Sequence, residues 1–211
     1  MSLDDSSEQA LAPLRELAAL AQTGLAFTKD KFDQERYTRI RELVEGLLRG
    51  PLASNPDFDP SVLVGREEGY TTPKVDVRGA AFRDGRVLMV RERSDGLWTL
   101  PGGWADVNQS PSEAIVKEIR EESGFEAQVV KVAAFLDKRK HPHPPVFHHA
   151  YKVFFLCELT GGAAGTSIET DAVDFFAEDA LPPLSVQRVT AGQLALMFRH
   201  QRDRSLPTDF D

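Results

Sequence analysis

The 211-residue sequence predicts a mixed α/β (α+β) domain from about residue 70 to the end, preceded by a small helical domain. Three observations carry that expectation. Apolar residues near the start recur at helical spacing. From Lys74 the apolar period changes to two, as in strands. Between Ser110 and Gly124 lie the start and stop signals of one well-bounded helix.

The elements follow in order. Leu14, Leu17 and Ala21 mark a first helix, with Pro13 in its first turn and Gly24 as its stop. Tyr37, Ile40, Val44, Leu47 and Leu48 form the stripe of a second, from Gln34 to Arg49. Asp33 is its expected N-cap and Gly50-Pro51 its end. Two such helices cannot bury their stripes on each other alone, so the rest of the chain or a second subunit must cover them. Residues 51–69 hold three prolines and two glycines and read as a linker. The expected division is therefore 1–69, helical domain and linker, and 70–211, a second domain.

In that second part, Lys74 to Phe82 and Arg86 to Arg91 read as a hairpin around Asp84-Gly85. Leu97 to Leu100 leads into Pro101-Gly102-Gly103. Ser110 as N-cap, Pro111 at the first helical position and Glu113 at the third begin a helix that Gly124 ends. Gln128 to Leu136, Tyr151 to Leu159 and Val173 to Ala177 are strand-like. Val186 to Arg202 closes as a helix with Leu194, Met197 and Phe198 inward. Strands, a helix, more strands and a last helix make a layered mixed-sheet domain.

Composition narrows the function. Asp and Glu number 33 against 25 Lys and Arg, a formal charge of −8. That excess argues against bulk electrostatic binding to DNA or RNA, and no basic helix pair is present. No apolar run approaches the ~18 residues that span a bilayer, so no membrane partner is expected. The acidic start, MSLDDSSEQ, has no hydrophobic segment, and a cytoplasmic location is expected. Cys157 is the single cysteine and reads as a buried core thiol.

The helix from Pro111 to about Ser123 carries Glu118, Glu121 and Glu122 at i, i+3 and i+4. They share one ~100° sector, beside an apolar stripe of Ile115, Val116 and Ile119. Like charges at this spacing repel by a few tenths of a kcal/mol per pair, roughly. The helix dipole also disfavours acids in a last turn. A bound divalent cation reverses both effects, and clustered oxygen ligands suit Mg²⁺ or Mn²⁺. From the residues alone, a solvated acidic face is the competing reading.

Gly103 to Phe125 resembles the Nudix box, G-x5-E-x7-R-E-U-x-E-E-x-G-U with U a bulky aliphatic. Gly103, Glu118, Ile119, Glu121, Glu122 and Gly124 match at fixed spacing. Gln109, Lys117 and Phe125 stand where glutamate, arginine and an aliphatic are usual. Lys117 keeps the charge and loses the planar fork that orients a glutamate bidentately. The resemblance implies the Nudix α/β/α sandwich with a mixed sheet. It further implies a metal seat at Gly103, Glu118, Glu121 and Glu122 that binds Mg²⁺ or Mn²⁺. The implied reaction is hydrolysis of a nucleoside diphosphate linked to X, giving a nucleoside monophosphate and phosphorylated X. Metals suit this chemistry because diphosphates repel anionic nucleophiles.

For the general base the resemblance offers Glu121 and Glu122 in the box and Glu169 in a later loop, with Asp171 and Glu178 as further options. Candidate substrate contacts are Trp104 beside the glycines, Lys138 and Arg139 in the one dense basic segment, and His148 in the proline-rich run 141–149. Zinc at those histidines ranks below a substrate-loop role, because no cysteine or acid completes a tetrahedral set.

Residues 19–27 (ALAQTGLAF) and 33–37 (DQERY) resemble the helical domain in front of a subset of bacterial Nudix hydrolases, CDP-choline and ADP-ribose pyrophosphatases among them. That likeness implies a homodimer acting on a small nucleoside diphosphate derivative. The alternatives are an RNA-end or oligonucleotide hydrolase and a nucleotide-sensing module that does not hydrolyse. The intact glutamate trio disfavours the sensor.

Overall fold

The structure, a computed structural model, describes residues 3–52 and 69–211. Nearly all of the expected linker therefore lies outside the described residues. The chain divides into two compact units: Met1–Pro73 with Pro144–His149, and Lys74–His143 with Ala150–Asp211.

The first unit holds α1 (Leu3–Phe27) and α2 (Lys31–Leu52). Leu11, Ala18, Val44 and Leu48 are buried in one cluster that Phe147 completes. Arg15 clasps the same segment, its Nε and Nη2 donating to the carbonyls of Phe147 and Val146 at 2.6 and 2.8 Å. Several boundaries differ from expectation. Pro13 sits inside α1, because helical residues precede it. Gly24 does not end the helix, which runs three residues further; it is needed where the Tyr37 ring packs, since a Cβ there would lie 2.5 Å from that ring. The cap of α2 is Asp30, whose Oδ1 accepts from the Asp33 amide at 3.0 Å. Pro51 falls within the last turn, its fixed φ being itself helical. Leu20, Leu43, Leu47 and Phe32 remain exposed.

The second unit is built on β1 (Lys74–Arg83), β2 (Arg86–Glu92), β3 (Trp98–Thr99), β4 (Phe125–Asp137), β5 (Ala150–Gly162), β6 (Thr170–Phe176) and β7 (Asp209–Phe210). The strand order is β3-β2-β1-β5-β4-β7, with β6 paired to β2. β1 lies parallel to β5 and β4 parallel to β7, while the other pairs are antiparallel. The hairpin turns on Asp84 and Gly85 at φ 50° and 74°, the left-handed pair that suits right-twisted strands.

A helix covers each face. On one side Ala114, Ile115 and Ile119 of α3 (Pro111–Ser123) meet Val77, Ala81, Leu88, Val153 and Phe155. On the other, Leu194, Met197 and Phe198 of α4 (Ala191–Arg202) meet Ala80, Met89, Ala134, Phe154 and Leu156. The result is an α/β/α sandwich with a mixed sheet. α4 starts five residues later than expected, behind a Thr190–Gln193 capping box. β7 was not foreseen. It brings Asp209 to Arg199 and His200, while Asp211 Oδ2 accepts from the amide of Asp137 at 2.5 Å and Oδ1 meets His141 Nε2 at 3.2 Å.

Candidate active site

Local chemistry fixes the helix that carries the carboxylates. Ser110 and Glu113 cap each other's backbone at the start of α3, with Pro111 in the first turn. Gly124 ends it in the left-handed conformation at φ 74°. A Cβ there would meet the Ala163 carbonyl at 2.4 Å, so glycine also permits a close backbone approach. The Gly165 amide donates to Ser123 O at 2.9 Å, and Thr170 Oγ1 to Glu122 O at 2.7 Å. The last turn of α3 is thus held by β6 and the loop before it.

The glycine loop faces this turn. Residues 101–105 run along β1, with Gly79 N donating to Pro101 O, Val77 N to Gly103 O and Ala105 N to Val75 O at 2.8–2.9 Å. Gly102 has φ 138°, and its amide donates to Glu122 Oε2 at 2.9 Å. The Glu118 carboxyl lies 3.6–3.7 Å from where a Gly103 Cβ would stand, so any side chain there would pack on that carboxyl and shield it. Glu122 is 5% exposed. Burial pushes its carboxyl up to about 8, against the pull of Arg78 and the Gly102 amide. Burial also raises half-buried Glu118, opposed by Lys117 and assisted by Glu121. Glu121 is exposed, 3.9 Å from Lys117, which bonds Asp106 at 2.9 Å. Lys117 therefore ties α3 to the loop ahead of it.

Glu118, Glu121 and Glu122 offer oxygen donors only, which fits a divalent cation of the Mg²⁺ or Mn²⁺ kind. Burial outweighs the nearby positive charge of Arg78 and Lys117 and raises Glu118 and Glu122, and a cation would supply the rest. Among the described residues the side chains as placed do not converge in a group of three around one point.

The other predicted residues fall as follows. Glu169 is exposed on the loop before β6, where its carbonyl accepts from Arg93 N at 2.8 Å. Its charge is felt by both Glu118 and Glu92. Asp171 bonds Arg91 at 2.7 Å and Glu178 bonds Arg202, which engages both as ion pairs. Trp104 is half exposed next to Gly103. Lys138 is buried, and Arg139 folds back on Asp137 at 2.6 Å. His148 lies in the segment that belongs with the first unit, its ring 6.4 Å from that of Phe147.

Several charged residues behind the loop escaped sequence reasoning. Arg78 is 5% exposed and donates Nε to Asp76 Oδ1 at 2.7 Å and Nη1 to Leu100 O at 3.2 Å. Lys152 is fully buried on the neighbouring strand with Nζ 2.5 Å from Asp76 Oδ2. Buried Glu92 pairs with Arg188 at 3.0 Å. Asp76 and Arg78 share a strand face that alternates with Val77, which reads as a solvated side; the parallel partner that buries it is 76 positions away.

The NUDIX domain matches residues 72–196, and the domain described as "UDP-X-like, N-terminal oligomerisation domain" matches residues 8–50. A Bacillus subtilis (strain 168) protein, YjhB, named as a candidate ADP-ribose pyrophosphatase, is 45% identical over 92% of this chain and 93% of its own length. The crystal structure of an ADP-ribose pyrophosphatase from Streptococcus suis 89-1591 shares 46% identity at a TM-score of 0.62, covering 66% of this chain and all of that one. The crystal structure of a UDP-X diphosphatase aligns with 97% of this chain and 99% of its own, at 33% identity and a TM-score of 0.63. With the carboxylate helix set against a glycine loop in an α/β/α sandwich, these likenesses place the chain in the Nudix family, as a pyrophosphohydrolase with an N-terminal oligomerisation domain.

Proposed function

We propose that the protein hydrolyses the diphosphate linkage of a small nucleoside diphosphate derivative, of ADP-ribose, UDP-X or CDP-choline type, in a reaction that requires Mg²⁺ or Mn²⁺. The observation that carries this reading is the seating of Glu118 and Glu122 against the Gly102-Gly103 backbone with their carboxyls desolvated. The names of the relatives at 45% and 46% identity support the ADP-ribose side, and that of the structure aligned with 97% of this chain supports UDP-X.

Glu118, Glu121 and Glu122, with the Gly103 carbonyl region, would hold the cation. When bound, it neutralises phosphoryl oxygens and lowers the pKa of an attacking water. The Gly102 amide fixes one Glu122 oxygen. Glu169, exposed and close enough to influence Glu118, would accept a proton from water alongside Glu121 and Glu122. Trp104 offers a half-exposed ring for a base or for X. Arg139 is assigned to the substrate side with Lys138.

The test is a panel of ADP-ribose, UDP-sugars, CDP-choline, NADH and short RNA, with Mg²⁺ or Mn²⁺, following monophosphate release. Glu118→Gln, Glu121→Gln and Glu122→Gln should each lower kcat/KM by about a hundredfold or more. Near-normal turnover in the Glu121 and Glu122 variants sinks the assignment.

A further inference from the structure

The charged residues behind the glycine loop are unevenly paired. Four cations gather there: Arg78, Lys138, Lys152 and Arg188. Both oxygens of Asp76 are taken, one by Arg78 and one by Lys152. Glu92 accepts from Arg188, which also bonds Asp95 at 3.0 Å. Lys138 is left over. The residue is 9% exposed, its stem buried while its nitrogen keeps contact with solvent, and among the described residues the ammonium makes no hydrogen bond or ion pair. Burial holds it below the ordinary lysine range, and the Arg78 and Arg188 guanidiniums press it further down against the pull of Asp76.

The backbone forces this position. Asp137 caps the short turn Lys138–Lys140 and binds Arg139, and the His141 amide donates to Lys138 O at 3.3 Å. Arg139 is thereby turned outward and Lys138 inward. An ammonium crowded by other cations and given no acceptor of its own is open to an anion that reaches it from solvent. Arg78 connects the cluster to the carboxylate side, since it supports Leu100 O two residues before Gly102 and its charge acts on Glu122.

We propose that this cluster is the seat for the substrate's diphosphate, with Lys138 Nζ donating directly to a phosphoryl oxygen. Asp76 holds Arg78 and Lys152 in place around it, and Arg188 closes the far side. The inference rests on the diphosphate-hydrolase reading above and adds the cationic half of the site. Carboxylates and cation would grip the phosphates from the α3 side, and these side chains from the α4 side of the sheet end.

The test uses the full-length enzyme. Pyrophosphate and orthophosphate are titrated calorimetrically into wild type, Lys138→Met and Lys138→Arg in EDTA, and steady-state kinetics are run on the preferred substrate with Mg²⁺. Lys138→Met should weaken pyrophosphate binding and raise KM by about tenfold or more while kcat changes by less than about threefold. Its melting temperature should equal or exceed wild type, because a charge crowded by other cations has been removed, and Lys138→Arg should restore part of the binding. An unchanged pyrophosphate affinity and KM, or binding of orthophosphate alone, overturns the seat. So does a lowered melting temperature in Lys138→Met with equal losses in Lys138→Arg, which marks a structural lysine. If pyrophosphate binds through Lys138 but no nucleoside diphosphate derivative is hydrolysed, the seat stands and the hydrolase reading falls.

Discussion

The Gly102 amide lies 2.9 Å from the Glu122 carboxyl, and that one bond joins the glycine loop to the last turn of α3. It also explains why position 102 must be glycine. At φ 138° a Cβ would stand 2.0 Å from the Val77 carbonyl, a backbone atom that cannot retreat. Gly102→Ala is therefore expected to lose about 2–4 kcal/mol of stability by chemical denaturation. Its activity should fall even at temperatures where it stays folded, because Glu122 loses its anchor. A wild-type denaturation midpoint would refute the strain.

A second expectation concerns acid. His143 is 8% exposed; its Nδ1 bonds Val186 O at 2.7 Å and its Nε2 meets the Gln193 side-chain nitrogen at 3.0 Å. Gln193 donating to Nε2 requires that nitrogen to be bare, so the ring is neutral with its proton on Nδ1. Burial, reinforced by Lys152, Lys138 and His141, pushes it down to about 4. The unfolded histidine titrates near 6.5. Between those values only the unfolded chain takes up the proton, so the contribution is intact above pH 6.5 and is lost as pH falls toward 4. The loss should be on the order of 2–3 kcal/mol. His143→Gln, which can bond both partners without titrating, should flatten that limb of the stability curve; an unchanged slope would show that other groups carry it.

Cys157 gives a third. Burial alone pushes its thiol up to about 12. Thiolate is the reactive form, so native enzyme should resist Ellman's reagent and release one equivalent of thiol on denaturation. Rapid native labelling would contradict the packing.

The exposed apolar residues of the first unit give a fourth. Leu20, Leu43, Leu47 and Phe32 are too many to leave in water, in a segment that matches an oligomerisation domain. Light scattering should find a homodimer, and Leu20→Glu with Leu47→Glu should shift it toward monomer. A wild-type monomer would remove the point.

Legibility in the sequence followed the range of the interactions. The bounds of α3 could be read to the residue, because Ser110, Pro111, Glu113 and Gly124 act within one turn of the helix ends. Asp84-Gly85 likewise marked its hairpin. The Glu118, Glu121 and Glu122 sector was legible for the same reason, as it depends on helical period alone. Asp76, Arg78 and Lys152 were not, because their burial depends on the parallel pairing of β1 with β5. Lys138 reads as basic and as a candidate substrate contact; that its ammonium has no acceptor depends on which acids its neighbours have already claimed. Asp30 displaced Asp33 as a cap because several polar residues precede α2 and only the path of the chain chooses among them.

The far end of the sequence bears on how this enzyme should be handled. Asp211 fastens Asp137, the residue that caps the turn presenting Lys138, and Asp209 is itself clasped by Arg199 and His200. Residues 209–211 work as a buckle on a strap that holds the anion seat shut. Substituting Asp211, or trimming by a protease on its N-terminal side, would slacken that strap while both covering helices stay packed, and the enzyme would keep its fold while losing its grip on substrate.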